Sequence, residues 1–440
     1  MRKGKILQVI FIMLLSLFIL GGCGSQDQDE TEQNEVDQND SDQIADNTNE
    51  ENVQEDEISG YLTIWEHGTS FEEPLDDVIA GFQEKYPNIE IDYEIKDSTT
   101  YYSLLTTAVT SGDPPDIFWT NGTATSTMKD LVDNDALLEL TDIVDFTPLN
   151  SESFSLAEIN GEMYSVPWMV FDTRANYYNK TIFDEEGWSI PTTFTEYEEL
   201  LEKQKNAGYI PISLCPNDSW PILFAFEPVL AAYDYEYVES LNDYSVKATD
   251  EPASGALTKM KEWADKGYFG ENYLGVTDGD SQILAFTTGN AAMTIAGSWE
   301  ISTIQNNNPD LDFGAFQIPS EDGTKGMTGT FANGFSVYKD TPNLEAAKAF
   351  VQYCATIDAQ SKWVQAMGAV PGSAEIESTN EIANEMSDVD KTYISWQSVL
   401  ANYAKEGESA TSIWEENVSK VFYDVMTADE LMNDISEVMK

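Results

Sequence analysis

The chain has 440 residues, with 22 Lys or Arg against 79 Asp or Glu and a formal charge of −57. That balance excludes nucleic-acid binding, which needs clustered cations against phosphate, and charge-driven attachment to anionic lipid. Hydrophobic residues at 41% and aromatics at 12% exclude full disorder, and the length sets an expectation of about two domains.

Three cysteines, Cys23, Cys215 and Cys354, are too few for a disulfide scaffold or a four-thiolate zinc site. The lone histidine, His67, excludes His-rich metal sites and confines any Ser/His/Asp triad to its own surroundings. Arg2 and Arg174 are the only arginines.

The chain opens with a basic stretch, Met1–Lys5, then fifteen residues, Ile6–Leu20, that are mostly apolar. This run is shorter than the ~20 residues of a membrane span. Leu20-Gly21-Gly22-Cys23 follows and resembles the bacterial lipobox, which implies removal of residues 1–22 and a lipid on Cys23. An uncleaved anchor is the alternative, and either way the remainder lies outside the membrane. Residues 24–57 hold fourteen acidic side chains, no Lys or Arg and no aromatic, so residues 23–57 read as an acylated Cys and a disordered tether. As a flexible coil it would span about 30 Å, extended further by its own charge.

From Ser59 the pattern turns into alternating strand and helix. Tyr61–Trp65 reads as a buried strand, and Pro74–Tyr86 as a helix through Leu75, Val78, Ile79 and Phe82. Ile89–Ile95 alternates as a second strand, Tyr101–Thr110 reads as a helix, and Asp116–Trp119 as a third strand. This β-α-β-α-β order predicts a parallel sheet with helices on both faces. Further strand-like runs fall at Met163–Val170, Ala175–Tyr178, Ile210–Leu214 and Ala292–Ala296. Ligands of such sheets bind beyond the carboxyl ends of the strands. That points first to Trp65, Glu66 and His67 after the first strand, and to Trp119 and Asn121 after the third. A loop Trp can equally cap a core, but two at one sheet edge mark a candidate site.

Several segments in order carry a family likeness. They are Ser111-Gly112-Asp113-Pro114-Pro115-Asp116-Ile117, Gly161–Trp168 followed by Tyr177-Tyr178-Asn179-Lys180, Phe286–Trp299, Thr328–Phe335 and Gly368-Ala369-Val370-Pro371. With the lipobox ahead of them, the chain resembles the extracellular solute-binding proteins of ABC importers, in the sugar-binding branch of the maltose-binding proteins. The resemblance implies a two-lobed periplasmic-binding-protein-like α/β fold, each lobe a sheet flanked by helices, with ligand in the cleft between. The first lobe is expected over residues 58–168 and about 311–357, the second over 169–310 and about 358–440, with a hinge of several crossings. The polar break Asp172-Thr173-Arg174 between apolar runs suits a hinge element.

A pyranose offers a C–H face to aromatic rings and a rim of hydroxyls to amides and carboxylates. On the resemblance, the cleft is expected to use Trp65, Trp119, Trp168, Trp220, Trp299 and Trp396 as platforms. Its polar groups would be Glu66, His67, Asn121, Asp172, Asp218 and Asn333. Asp172 and Trp396 match family sugar-binding positions. Trp188, Trp263, Trp363 and Trp414 are assigned to packing. Asp278-Gly279-Asp280 resembles part of a calcium loop but lacks the later ligands, and reads as a turn. The pairing of Cys215 with Cys354 stays open. Arg scarcity favours a neutral ligand over an anionic one, and aromatics with carboxylates also permit a cationic one.

The expectation is therefore a monomeric, lipid-anchored sugar binder, for an oligosaccharide, on the outer face of a Gram-positive cell membrane. Its partners would be the carbohydrate and ABC permease subunits, with no nucleic acid, no cofactor, no metal and no catalysis. The alternatives are a secreted glycoside hydrolase and a surface receptor for another neutral or cationic solute.

Overall fold

The computed structural model describes residues 58–243, 246–405 and 408–439. The expected signal peptide, Cys23 and acidic tether lie outside them. No helix among the described residues is long and apolar enough to cross a membrane.

Strand β1 (Gly60–His67) turns Leu62, Ile64 and Glu66 inward, the two-residue period of a strand. Helix α1 (Glu72–Lys85) buries Leu75, Val78, Ile79 and Phe82, one face at helical spacing. β2 (Ile89–Lys96) follows, then α2 (Tyr101–Ser111), which stops at Gly112 with φ 77°, a left-handed position that favours glycine. β3 (Ile117–Trp119) completes the unit, and β1 lies parallel to both β2 and β3.

The apolar run from Met163 to Val170 does not form one strand. Pro167 lacks an N–H for the ladder; Glu162–Met163 pairs with Glu158–Ile159, and β4 (Trp168–Phe171) starts afresh. β5 (Arg174–Asn179) then opens the second lobe. That lobe adds β6 (Ile210–Ser213), α3 (Ser219–Tyr233), α4 (Gly279–Thr287), β7 (Ala291–Gly297), α5 (Glu300–Asn307) and β8 (Phe313–Phe316). Its sheet order is β8-β5-β7-β6, with β6 parallel to β7 and the other two pairs antiparallel.

The chain returns through β9 (Phe331–Ala332), antiparallel to β4, and β10 (Phe335–Val337), antiparallel to β3. The first sheet thus has the order β10-β3-β1-β2. Helices α6 (Leu344–Cys354) and α7 (Ile357–Met367) bury their apolar faces in the same first-lobe core. Past Ile376 the chain joins the second lobe for good, with α8 (Trp396–Ala401), α9 (Ala410–Phe422) and α10 (Ala428–Val438).

Two expected boundaries move. The return expected near Leu311 falls after Phe316, because β8 still hydrogen-bonds to β5 in the second sheet. The last crossing expected near Ile357 falls past Met367, at Val370, because Trp363, Val364 and Met367 pack in the first-lobe core while Val370 packs with Ala175 and Tyr177 of the second lobe. The three crossings are tied together: Phe171 N–H donates to Val370 O at 2.9 Å, and Asp172 N–H to Thr330 O at 2.7 Å. Cys354 is buried in the first-lobe core, while Cys215 is buried in the second lobe with its N–H on Gln282, so the two thiols stay free and apart.

Candidate ligand-binding cleft

The carboxyl ends of β1, β2 and β3 and the loops beyond them form one wall of a cavity of about 410 Å³. They contribute His67 to Phe71, Ile95 to Thr99, and Asn121. The second lobe supplies the facing wall from the starts of α3 and α4 and the end of β7. Strand polarity explains the placement: a parallel strand delivers its next loop, and the helix that follows, to one edge of the sheet.

Seven of the residues singled out from sequence line this cavity: His67, Trp119, Asn121, Asp172, Asp218, Trp220 and Trp299. Trp220 follows Asp218, whose carboxylate accepts the Trp220 N–H at 3.0 Å and caps α3. The Trp299 ring folds back over Gly297, where any Cβ would strike it. Its edge meets Phe224 at 4.9 Å between centroids. Trp119 lines the cavity but is only 3% exposed, because Phe71 stacks on it at 5.6 Å and His67 lies 5.0 Å away.

The other five sit elsewhere. Trp65 falls on the opposite face of β1 from Leu62 and Ile64, with the Lys96 ammonium 4.2 Å above its ring. Glu66 is fully buried behind the wall; one carboxylate oxygen lies 2.7 Å from both the His67 N–H and the His67 Nδ1. Burial pushes this carboxyl up, and His67 pulls it partly back. Trp168 is buried in the first-lobe core, stacked on Trp363 at 4.2 Å and 4°. Asn333 is buried and accepts the Ser165 hydroxyl at 2.9 Å. Trp396 is buried against Phe226 in the second lobe. These side chains support the walls rather than face the cavity.

Phe71, Tyr102, Phe224, Arg174 and Glu300 were not chosen from sequence as cleft residues, and all of them line the cavity. Phe71 and Tyr102 obey the same edge rule, one just before α1 and the other in the first turn of α2, so the rule reached further than the residues chosen with it. Glu300 directly follows Trp299, and Arg174 lies two residues past Asp172.

Arg174 is 1% exposed at the base of the cleft. Its guanidinium lies 2.9 Å from Asp172 Oδ1 and 2.9 Å from Glu227 Oε2, and it donates to Gln397 Oε1 at 3.2 Å. Phe224 and Trp299 flank it at 4.8 and 5.2 Å. Burial raises both carboxyls, and Arg174 draws them back. The arginine is thus engaged by two carboxylates and is not a clamp for an anion.

Glu300 begins α5 and joins the lobes, accepting the Ser70 hydroxyl at 3.3 Å. Burial pushes its carboxyl up to about 7, with Asp280 adding to the rise; hydrogen bonds from Thr303, Ser70 and Trp299 oppose it. Between the ordinary value of 4.5 and 7, the folded chain keeps a proton that the unfolded chain has released. Raising the pH across that window therefore withdraws stability. Glu300→Gln should flatten this part of the stability profile, read as urea midpoints at several pH values; an unchanged slope would remove Glu300 as its source.

Two α/β lobes, joined by three hydrogen-bonded crossings and enclosing an aromatic and carboxylate-lined cavity, define a hinged two-lobed binding protein. The sequence profile of the bacterial extracellular solute-binding proteins matches residues 66–361, and the chain belongs to that family. It is 25% identical over 332 residues to the multiple sugar-binding protein of Streptococcus mutans, covering 73% of this chain and 78% of that one. It is 25% identical over 327 residues to the diacetylchitobiose binding protein of Streptomyces coelicolor, covering 72% and 74%. Among solved structures, a chitin oligosaccharide binding protein shares the fold with TM-score 0.71 and 22% identity, over 86% of this chain and 98% of that one.

Proposed function

We propose that this chain captures a carbohydrate, preferably an oligosaccharide, in the cleft and presents it to ABC permease subunits by closing its lobes. A lipid on Cys23 would hold it, as a monomer, at the outer face of a Gram-positive membrane, with the acidic tether setting its reach. The observation that carries the reading is the cavity of about 410 Å³ with aromatic rings from both lobes, among them Tyr102, Trp220 and Trp299. Rings pack on sugar C–H faces, and Asn121, Asp172 and Asp218 suit hydroxyls. The sugar-binding names of the relatives support the same reading. No bond of the ligand is broken in this scheme.

The test is a thermal-shift screen of the purified chain against mono- and oligosaccharides. A ligand at a hundred times its Kd stabilises by about 2.7 kcal/mol, which moves the melting temperature by several degrees. Absence of a shift with every sugar would overturn the proposal. Release of reducing ends from a labelled oligosaccharide, in proportion to protein, would replace it with the hydrolase reading.

A further inference from the structure

The only histidine of the chain stands at the cleft wall, and the fold assigns its ring hydrogen. One oxygen of Glu66 lies 2.7 Å from the His67 backbone N–H and 2.7 Å from His67 Nδ1. An oxygen engaged by the backbone N–H is an acceptor, so Nδ1 meets it as a second donor and carries the hydrogen. In the neutral ring Nε2 is then a bare lone pair. Nε2 has no hydrogen-bond partner among the described residues, and His67 lines the cavity.

The ring is not free to reverse this arrangement. Phe71 stacks on it at 5.1 Å and 19°, Trp119 lies at 5.0 Å and Tyr101 at 5.5 Å. A half-turn within that stack would set a ring C–H against the Glu66 oxygen and give up the bond to Nδ1. Glu66 itself is fully buried, and its second oxygen, Oε2, has no partner among the described residues. An unpaired buried oxygen costs stability that an apolar side chain of the same size would not. Packing alone therefore does not account for a carboxyl here, whereas its hold on the His67 ring does.

Resting on the carbohydrate reading above, we propose that Glu66 is a positioning residue that locks His67 as a hydroxyl acceptor, and that His67 Nε2 makes the cleft require a free, donating hydroxyl on the sugar at this point. A sugar deoxygenated there leaves Nε2 unpaired on closure. A fluorine in the same place accepts but does not donate, so it fails as well.

The test begins without sugar. Nitrogen-15 spectra of the histidine-labelled chain at about pH 8, above the usual imidazole range, read a single ring. Nδ1 should be protonated and Nε2 bare, the reverse of the tautomer that a free imidazole side chain favours. Glu66→Gln, whose amide oxygen still accepts, should keep that signature, and Glu66→Met should shift it toward protonated Nε2. Calorimetry follows with glucose, galactose, mannose, maltose, cellobiose, raffinose and diacetylchitobiose, then with the deoxy and fluoro forms of the tightest binder. One hydroxyl should lose about tenfold in both forms. The same hydroxyl should lose nothing further in His67→Phe, which keeps a ring in the stack. Should Glu66→Met fail to fold, the parent spectrum and the His67→Phe cycle still decide. Protonated Nε2 in the parent, or unchanged affinity in His67→Phe, overturns this inference and leaves the carbohydrate reading standing. A Glu66→Met spectrum identical to the parent's overturns the role of Glu66. If the panel and the wider sugar screen are both silent, the carbohydrate reading falls and this inference with it.

Discussion

Arg174→Met should cost about 3–5 kcal/mol of folding stability at neutral pH, the largest effect of any single substitution at the cleft. Methionine keeps much of the side chain's volume between Phe224 and Trp299 but removes the charge that Asp172 and Glu227 share. Glu227 is 1% exposed, so its carboxylate would be left uncompensated in the interior. The sign of the pH dependence follows. Burial already raises both carboxyls, and Arg174 is the group that lowers them. Without it they take up protons more readily, so the deficit against the parent chain should shrink as the pH is lowered. Urea unfolding of both chains across a pH series measures this. Adding Asp172→Asn and Glu227→Gln should recover part of the loss, since neutral partners need no counter-charge. A loss below about 1 kcal/mol for Arg174→Met alone would show that the triad is not a stabilising unit.

The second large effect is on binding. Trp299→Ala should weaken affinity for the sugar found by the thermal screen at least tenfold, about 1.4 kcal/mol, while the circular dichroism of the fold is retained. Trp299 is half-buried at the cavity wall, seated over Gly297 and edge-on to Phe224. Truncation removes an apolar face and lets Phe224 and Arg174 relax into the gap. Trp299→Phe should keep most of the affinity. Calorimetry giving the same Kd for parent and alanine variant would take Trp299 out of the site.

The elements that sequence conveyed well are those with a period. Leu62 and Ile64 alternate, and Leu75, Val78, Ile79 and Phe82 recur on one helix face, so β1 and α1 were legible within a few residues. Lobe membership has no period. β8 and α7 present apolar faces that would suit either core, and only hydrogen bonding to β5 and packing of Trp363 against Trp168 decide which. The candidate cleft was legible where strand polarity governs it, at His67, Asn121 and Trp220. Residue type alone did not separate wall from interior: Trp168 and Trp396 share the chemistry of Trp220 and Trp299 but face cores. Nor did spacing reveal that Arg174 would fold back onto Glu227, a contact made only when α3 packs beside β5.

The antiparallel strand β10 carries a consequence for how the chain comes into being. Thr120 and Ser336, whose hydroxyls meet at 3.0 Å, are separated by 216 residues. A chain leaving the ribosome or the secretion channel N-terminus first therefore displays β3 with a bare edge until the second lobe's whole sheet, β5 to β8, has followed. Long-range pairing of this kind is slow and exposes intermediates to aggregation. The half-made first lobe is the vulnerable species during export. Refolding should show the second lobe's β5-β7-β6 ladder protected from hydrogen exchange before β3 is.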